Sequence, residues 1–144
     1  MSESLEKFLI EEVKIIQDII KRMASNSFLI KGWAITLVIA TLLLKGSKYQ
    51  ILIAFIPIIV FWFLDAYFLW QERLYRELYK WVIQNRCETR EFLFDMNAYR
   101  FKNKVESMWK IMFSITLRWF YGSMIILTTI ICTALIFLLK NGGN

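Results

Sequence analysis

The sequence predicts an all-α integral membrane protein with three transmembrane helices, an N-terminal amphipathic helix and a helical cytoplasmic segment. Three observations predict it. Of 144 residues, 58% are hydrophobic and 17% aromatic against 21% charged, and the mean hydropathy is +0.47, whereas a soluble domain this short needs polar residues over the surface that folding leaves exposed. One Pro and five Gly supply too few turn formers for many short strands and favour long helices. Three runs of 20 to 23 residues carry at most one charge each, which is the length a hydrocarbon core demands.

In chain order, residues 1–24 predict a cytoplasmic amphipathic helix of about five turns. Leu5, Phe8, Leu9, Val13, Ile16, Ile19, Ile20 and Met23 recur at three- and four-residue spacing, and Glu6, Lys7, Glu11, Lys14, Asp18 and Lys21 mostly fall between them, after Ser4 as a cap. Residues 25–71 predict a helical hairpin. Its first span, Ser25 to Leu44, has Lys31 as its lone charge; its second, Tyr49 to Gln71, has only Asp65; and Lys45-Gly46-Ser47-Lys48 is the turn. Pro57 can bend the second span without breaking it. Leu74, Leu78, Trp81 and Val82 continue its period, so the helix runs on to about Gln84, with a break near Asn85 to Arg90. Residues 72–118 form a basic segment in which 91–113 predict one or two helices leading into the third span. That span, Trp119 to Leu139, is opened by Trp119-Phe120-Tyr121 and closed by Lys140, with 140–144 as a short external tail.

Orientation follows from the bases. Lys and Arg number five in residues 1–31, two in the 45–48 turn, ten in 73–118 and one at Lys140, so the positive-inside rule places the N-terminus and the 72–118 segment in the cytoplasm and the C-terminus outside a bacterial inner membrane. The first residues carry acid where a secretory leader carries base, so no cleaved signal is expected. With no His, imidazole-based nucleophilic catalysis and imidazole metal sites are excluded. Cys87 and Cys132, 45 residues apart, form neither a disulfide framework nor a metal knuckle. No enzyme, cofactor or metal centre is expected.

Four constellations remain. Lys31 and Asp65 each lie roughly 20 Å from the hairpin turn at a 1.5 Å rise per residue, and an unpaired charge in lipid costs about 3 kcal/mol on insertion scales, so the two predict an intramembrane ion pair. It reads either as a structural pin or as part of an ion path. The stripe Asp65, Leu69, Glu72, Arg76, Tyr79 repeats by four and three residues, with Glu72 and Arg76 suitably spaced for an ion pair; it reads either as an assembly or gating interface or as a solvated face. Gly32, Thr36 and Ala40 in the first span, and Gly122, Thr129 and Thr133 in the third, form tracks for helix packing or for pore lining. Ten basic and six acidic residues in 72–118, with Tyr99, Phe101 and Trp109 among them, suit anionic headgroups, nucleotides or single strands, or else only orient the chain.

Two stretches carry a resemblance: Asn26-Ser27-Phe28-Leu29-Ile30-Lys31-Gly32-Trp33, and Phe61-Trp62-Phe63-Leu64-Asp65-Ala66-Tyr67-Phe68-Leu69 followed by Glu72-Arg73-Leu74-Tyr75-Arg76-Glu77-Leu78-Tyr79. They resemble the RipA family of octameric membrane proteins and the similar membrane effectors of antiphage systems such as Hailong, over roughly the first 80 residues. The resemblance implies a homo-oligomeric inner-membrane channel, silenced or opened by a partner that makes or senses nucleic acid, such as a cytosolic nucleotidyltransferase or nuclease with its product. It also implies that Lys31, Asp65, Glu72, Arg73 and Arg76 act in assembly or gating. Accessory proteins of RNA-targeting CRISPR systems, which are similar, carry an Arg-to-His motif; this chain lacks the His. The rival expectation is a non-conducting scaffold that docks a cytosolic enzyme.

Overall fold

The computed structural model describes the backbone of residues 3–43 and 50–141 and the side chains of 4–43 and 53–137. The expected hairpin turn at 45–48 and the tail beyond Asn141 lie outside the described residues. The chain is all-α: α1 (Glu3–Leu43), α2 (Gln50–Asn85), a 3₁₀ helix (Ala98–Lys104), α3 (Met108–Met112) and α4 (Ile115–Asn141). Three helices are long and apolar enough to cross a bilayer, over Ser4–Leu43, Ile53–Asn85 and Ile115–Phe137.

The amphipathic helix and the first span are one uninterrupted helix, because Ser25-Asn26-Ser27 contains neither Gly nor Pro to stop it. At 1.5 Å per residue α1 is about 60 Å long and α2 about 54 Å. Both therefore exceed a hydrocarbon core of about 30 Å and form a two-helix stalk beyond it. α2 passes through Pro57 without a break, and α4 begins four residues before the expected third span.

Residues 91–113 hold two helices, within the expected one or two, but both are short and the first begins only at Ala98. Glu91–Asn97 is irregular, with Phe92 at φ 54° and Phe94 at φ 57°, and the 3₁₀ helix and α3 have only seven and five residues. The reason lies in Arg86, whose guanidinium takes the carbonyls of Thr89, Glu91 and Phe92. Carbonyls bound there are withdrawn from a helical ladder. Asn97 then caps the 3₁₀ helix and Ser107 caps α3, each accepting from a backbone N–H with its side-chain oxygen.

α2 is the central element, packed along α1 on one side and against the 3₁₀ helix, α3 and α4 on the other, while α1 and α4 barely touch. The buried side chains form two layers. Within the spans Ala34, Val38, Ile58, Ala66, Leu117 and Tyr121 meet, joined by Ile111 of α3; along the stalk Ile16, Leu74, Leu78, Val82, Ala98 and Phe101 meet. Alanines at the α1–α2 seam leave no room for side chains to hold the helices apart, so their backbones approach closely. Only 22%, 22% and 17% of the most apolar stretches of the three helices is buried. Phe28, Trp33, Leu43, Trp119 and Phe137 stand on the outside, an arrangement stable in hydrocarbon and costly in water.

Candidate functional site

The apolar layer holds one fully buried carboxylate, and every span contributes to it. Asp65, on α2, has no solvent exposure. Lys31 of α1 places its Nζ 2.6 Å from Asp65 Oδ2, and Ser27, one turn earlier on α1, donates its hydroxyl to Oδ1. Tyr121 of α4 donates to Oδ2 at 3.1 Å and lies equally close to the Phe61 carbonyl. Lys31 also donates to Ser27 Oγ at 3.0 Å. A carboxylate has about four acceptor positions, and here hydroxyl, ammonium and phenol from two neighbouring helices fill three of them.

Local sequence explains the convergence. Ser27 and Lys31 are four apart and so share a face of α1, and Tyr121 sits at the start of α4, where Trp62 stacks on its ring at 5.7 Å and donates its Nε1 to the Met112 carbonyl at 2.8 Å. The cluster is electrically neutral and internally hydrogen-bonded. That combination makes a charged group tolerable in lipid. It clamps three helices together, and only Lys31, whose side chain is 24% exposed, reaches the surface, at the floor of an apolar groove of about 650 Å³ with Phe28, Trp33, Thr36 and Phe120 on its walls.

The stripe beyond Asp65 divides. Glu72 and Arg76 form an ion pair at 2.6 Å, and Tyr79 meets Gln17 of α1 at 3.3 Å, so the stripe follows the seam between α1 and α2 while the Arg76 head points outward. Arg73, three residues before Arg76, is turned toward the returning segment and bridges to Glu106 at 2.8 Å. Glu106 also pairs with Lys110 at 2.7 Å, and bonding to Lys110 first and Arg73 second holds its carboxyl below the usual value.

The small-residue tracks are unused within the chain. A Cβ added at Gly32 or Gly122 would meet nothing within 4 Å. Thr36, Thr129 and Thr133 are exposed and bond to carbonyls of their own helices, at Gly32, Ile125 and Ile130. The alanines buried among the spans are instead Ala34, Ala54 and Ala66.

Sequence reasoning missed Ser27 and Tyr121 as Asp65 partners, and it missed a second buried pair. Glu12 of α1 and Arg86, just past α2, are 1% and 0% exposed and meet in a two-pronged ion pair, Nε to Oε2 and Nη2 to Oε1. Arg86 spends its other donors on the three loop carbonyls, so all five N–H groups are satisfied. Glu12 further accepts from the Phe94 amide at 2.7 Å. A signal for Glu12 was present: it stands four residues from both Phe8 and Ile16, on the apolar face of the amphipathic helix.

No family model, curated protein or solved structure matches this chain. The residues themselves carry the functional reading.

Proposed function

We propose that the protein is a homo-oligomeric channel of the bacterial inner membrane, an antiphage defence effector that depolarises the cell when a cytosolic partner changes state. The partner class is a nucleotidyltransferase or nuclease with its nucleic-acid or nucleotide product, as the resemblance implies. The observation that carries the channel is the placement of polar and small groups in the apolar layer. The Asp65 cluster is closed within one copy, so a single protomer offers ions no wet path. Gly32 and Gly122 have open space around them, and Thr36, Thr129 and Thr133 face outward. Copies meeting on these faces bury the glycine tracks and gather hydroxyls around a shared path. α2 supplies the linkage to a partner, because one helix carries Asp65 among the spans and Glu72, Arg73 and Arg76 beyond them.

The test is ion flux from liposomes containing the purified protein. The channel predicts leakage in the absence of an inhibitory partner and depolarisation of cells on overexpression. The rival scaffold reading has support in the stalk, which leaves Ile10, Ile15 and Ile83 exposed for a docked protein, and it predicts neither leakage nor depolarisation. Orientation is tested separately. The imbalance of basic residues across the third span predicts that a reporter fused after Asn144 is active outside the cytoplasm; activity inside contradicts the three-span topology.

A further inference from the structure

Arg73, Arg76 and Lys80 recur by three and four residues and so share one side of α2. Opposite them the 3₁₀ helix ends at Lys104, and Glu106 follows. Between the two walls lies a cleft of about 270 Å³ lined by Arg73, Arg76, Glu77, Lys80, Lys104 and Glu106. Four bases against two acids leave it with an excess of two positive charges. Both acids are engaged, Glu77 by Lys80 at 2.6 Å and Glu106 by Arg73 and Lys110, and Arg76 is paired with Glu72 at 2.6 Å, so each base of α2 in the cleft has a carboxylate beside it. Lys104 has no carboxylate partner among the described residues, and its ammonium lies over the Phe101 ring, 5.5 Å from the centroid.

The height of the cleft selects its ligand. Gln71 closes the second apolar run, so Arg73 lies about 3 Å and Lys80 about 14 Å farther along the axis. The headgroup layer adds roughly 5–8 Å to each side of the hydrocarbon. The lower half of the cleft therefore opens at headgroup level, and Trp109, Phe113 and Ile115, all largely exposed next to Glu106 in the chain, suit the same interface. Orientation of the chain requires only net charge near the spans, whereas here charge from two separate elements converges on one concavity.

We infer that this cleft binds the phosphate of an anionic phospholipid, with Lys104 on one side and the bases of α2 on the other. A phosphate held there ties α2 to the returning segment. The inference needs only the membrane embedding and stands whether or not the protein conducts.

Native mass spectrometry of the full-length protein, titrated with phosphatidylglycerol in detergent, reads the site directly. A juxtamembrane base is worth about fivefold in binding, so Arg76→Gln with Lys104→Gln, both lining the cleft, should weaken retention roughly 25-fold, counting each charge independently. A control of equal charge change, Lys14→Gln with Lys102→Gln, both exposed and off the cleft, should change it less than about twofold. Lys104→Gln alone changes an exposed side chain with no carboxylate partner among the described residues, so it preserves the fold and should still cost about fivefold. Equal weakening in the control, or no weakening in Lys104→Gln, overturns the proposal. A second arm adds inorganic phosphate or pyrophosphate to protein in phosphatidylcholine nanodiscs. Binding of either anion more tightly than phosphatidylglycerol overturns the lipid as the source.

Discussion

At Asp65 one carboxylate accepts from Ser27, Lys31 and Tyr121, and removing a partner leaves a buried charge behind. Asp65→Ala or Lys31→Ala should each cost about 3–5 kcal/mol, read by denaturation in mild detergent. Exchanging the two charges should recover part of the loss; an exchange no better than the single changes contradicts direct pairing. Arg86→Gln should cost a similar amount, since it strands Glu12 and three carbonyls at once. Glu106 supplies a pH dependence. Its folded value lies below the ordinary 4.5, so the bridges to Lys110 and Arg73 contribute fully above that value and fade as the pH falls through the depressed folded one. Wild type and Glu106→Gln should therefore differ in thermal stability at neutral pH and converge in strong acid; a constant difference contradicts the bridges. The meeting of Lys31 with Asp65 was legible because ions in lipid need partners and two helix rises matched. Ser27 and Tyr121 were not, since hydroxyls can satisfy themselves on their own helix.

Among the elements, the long helices follow from apolar runs without breakers, and the sequence displays them openly. The segment 91–113 follows only in its second half, because its Phe, Met and Trp content has a helix-like period while Arg86, three to six residues away, takes the carbonyls of Thr89, Glu91 and Phe92. Arg86 and Glu12 hold this loop, and periodicity marks Glu12 as facing the core but not Arg86 as its partner. The Phe94 amide, donated to Glu12, should exchange slowly with solvent despite lying outside any helix, and Glu12→Ala should release it; fast exchange in the wild type contradicts the network. The glycine tracks give an opposite test. With open space at Gly32 and Gly122, Ala at either position should leave a single protomer intact or stabilise it by about 0.5–1 kcal/mol, whereas Leu should reduce assembly size in cross-linking. Unchanged assembly with Leu at both positions places the contact between copies elsewhere.

For the whole molecule, buried alanines and one neutral charge cluster make the three candidate spans a unit, and α1 and α2 extend beyond the apolar layer side by side. The outward placement of Gly32, Thr36, Gly122, Thr129 and Thr133 could not be read from spacing, because periodicity shows which residues share a face but not which neighbour that face meets. Conduction through an assembly of copies is the central claim, and single-channel recording in planar bilayers tests it most directly. The purified oligomer should give discrete current steps, and replacing Thr36, Thr129 and Thr133 with Val should lower their size while the oligomer persists. A stable, reconstituted oligomer that passes no current with or without its partner would contradict the claim.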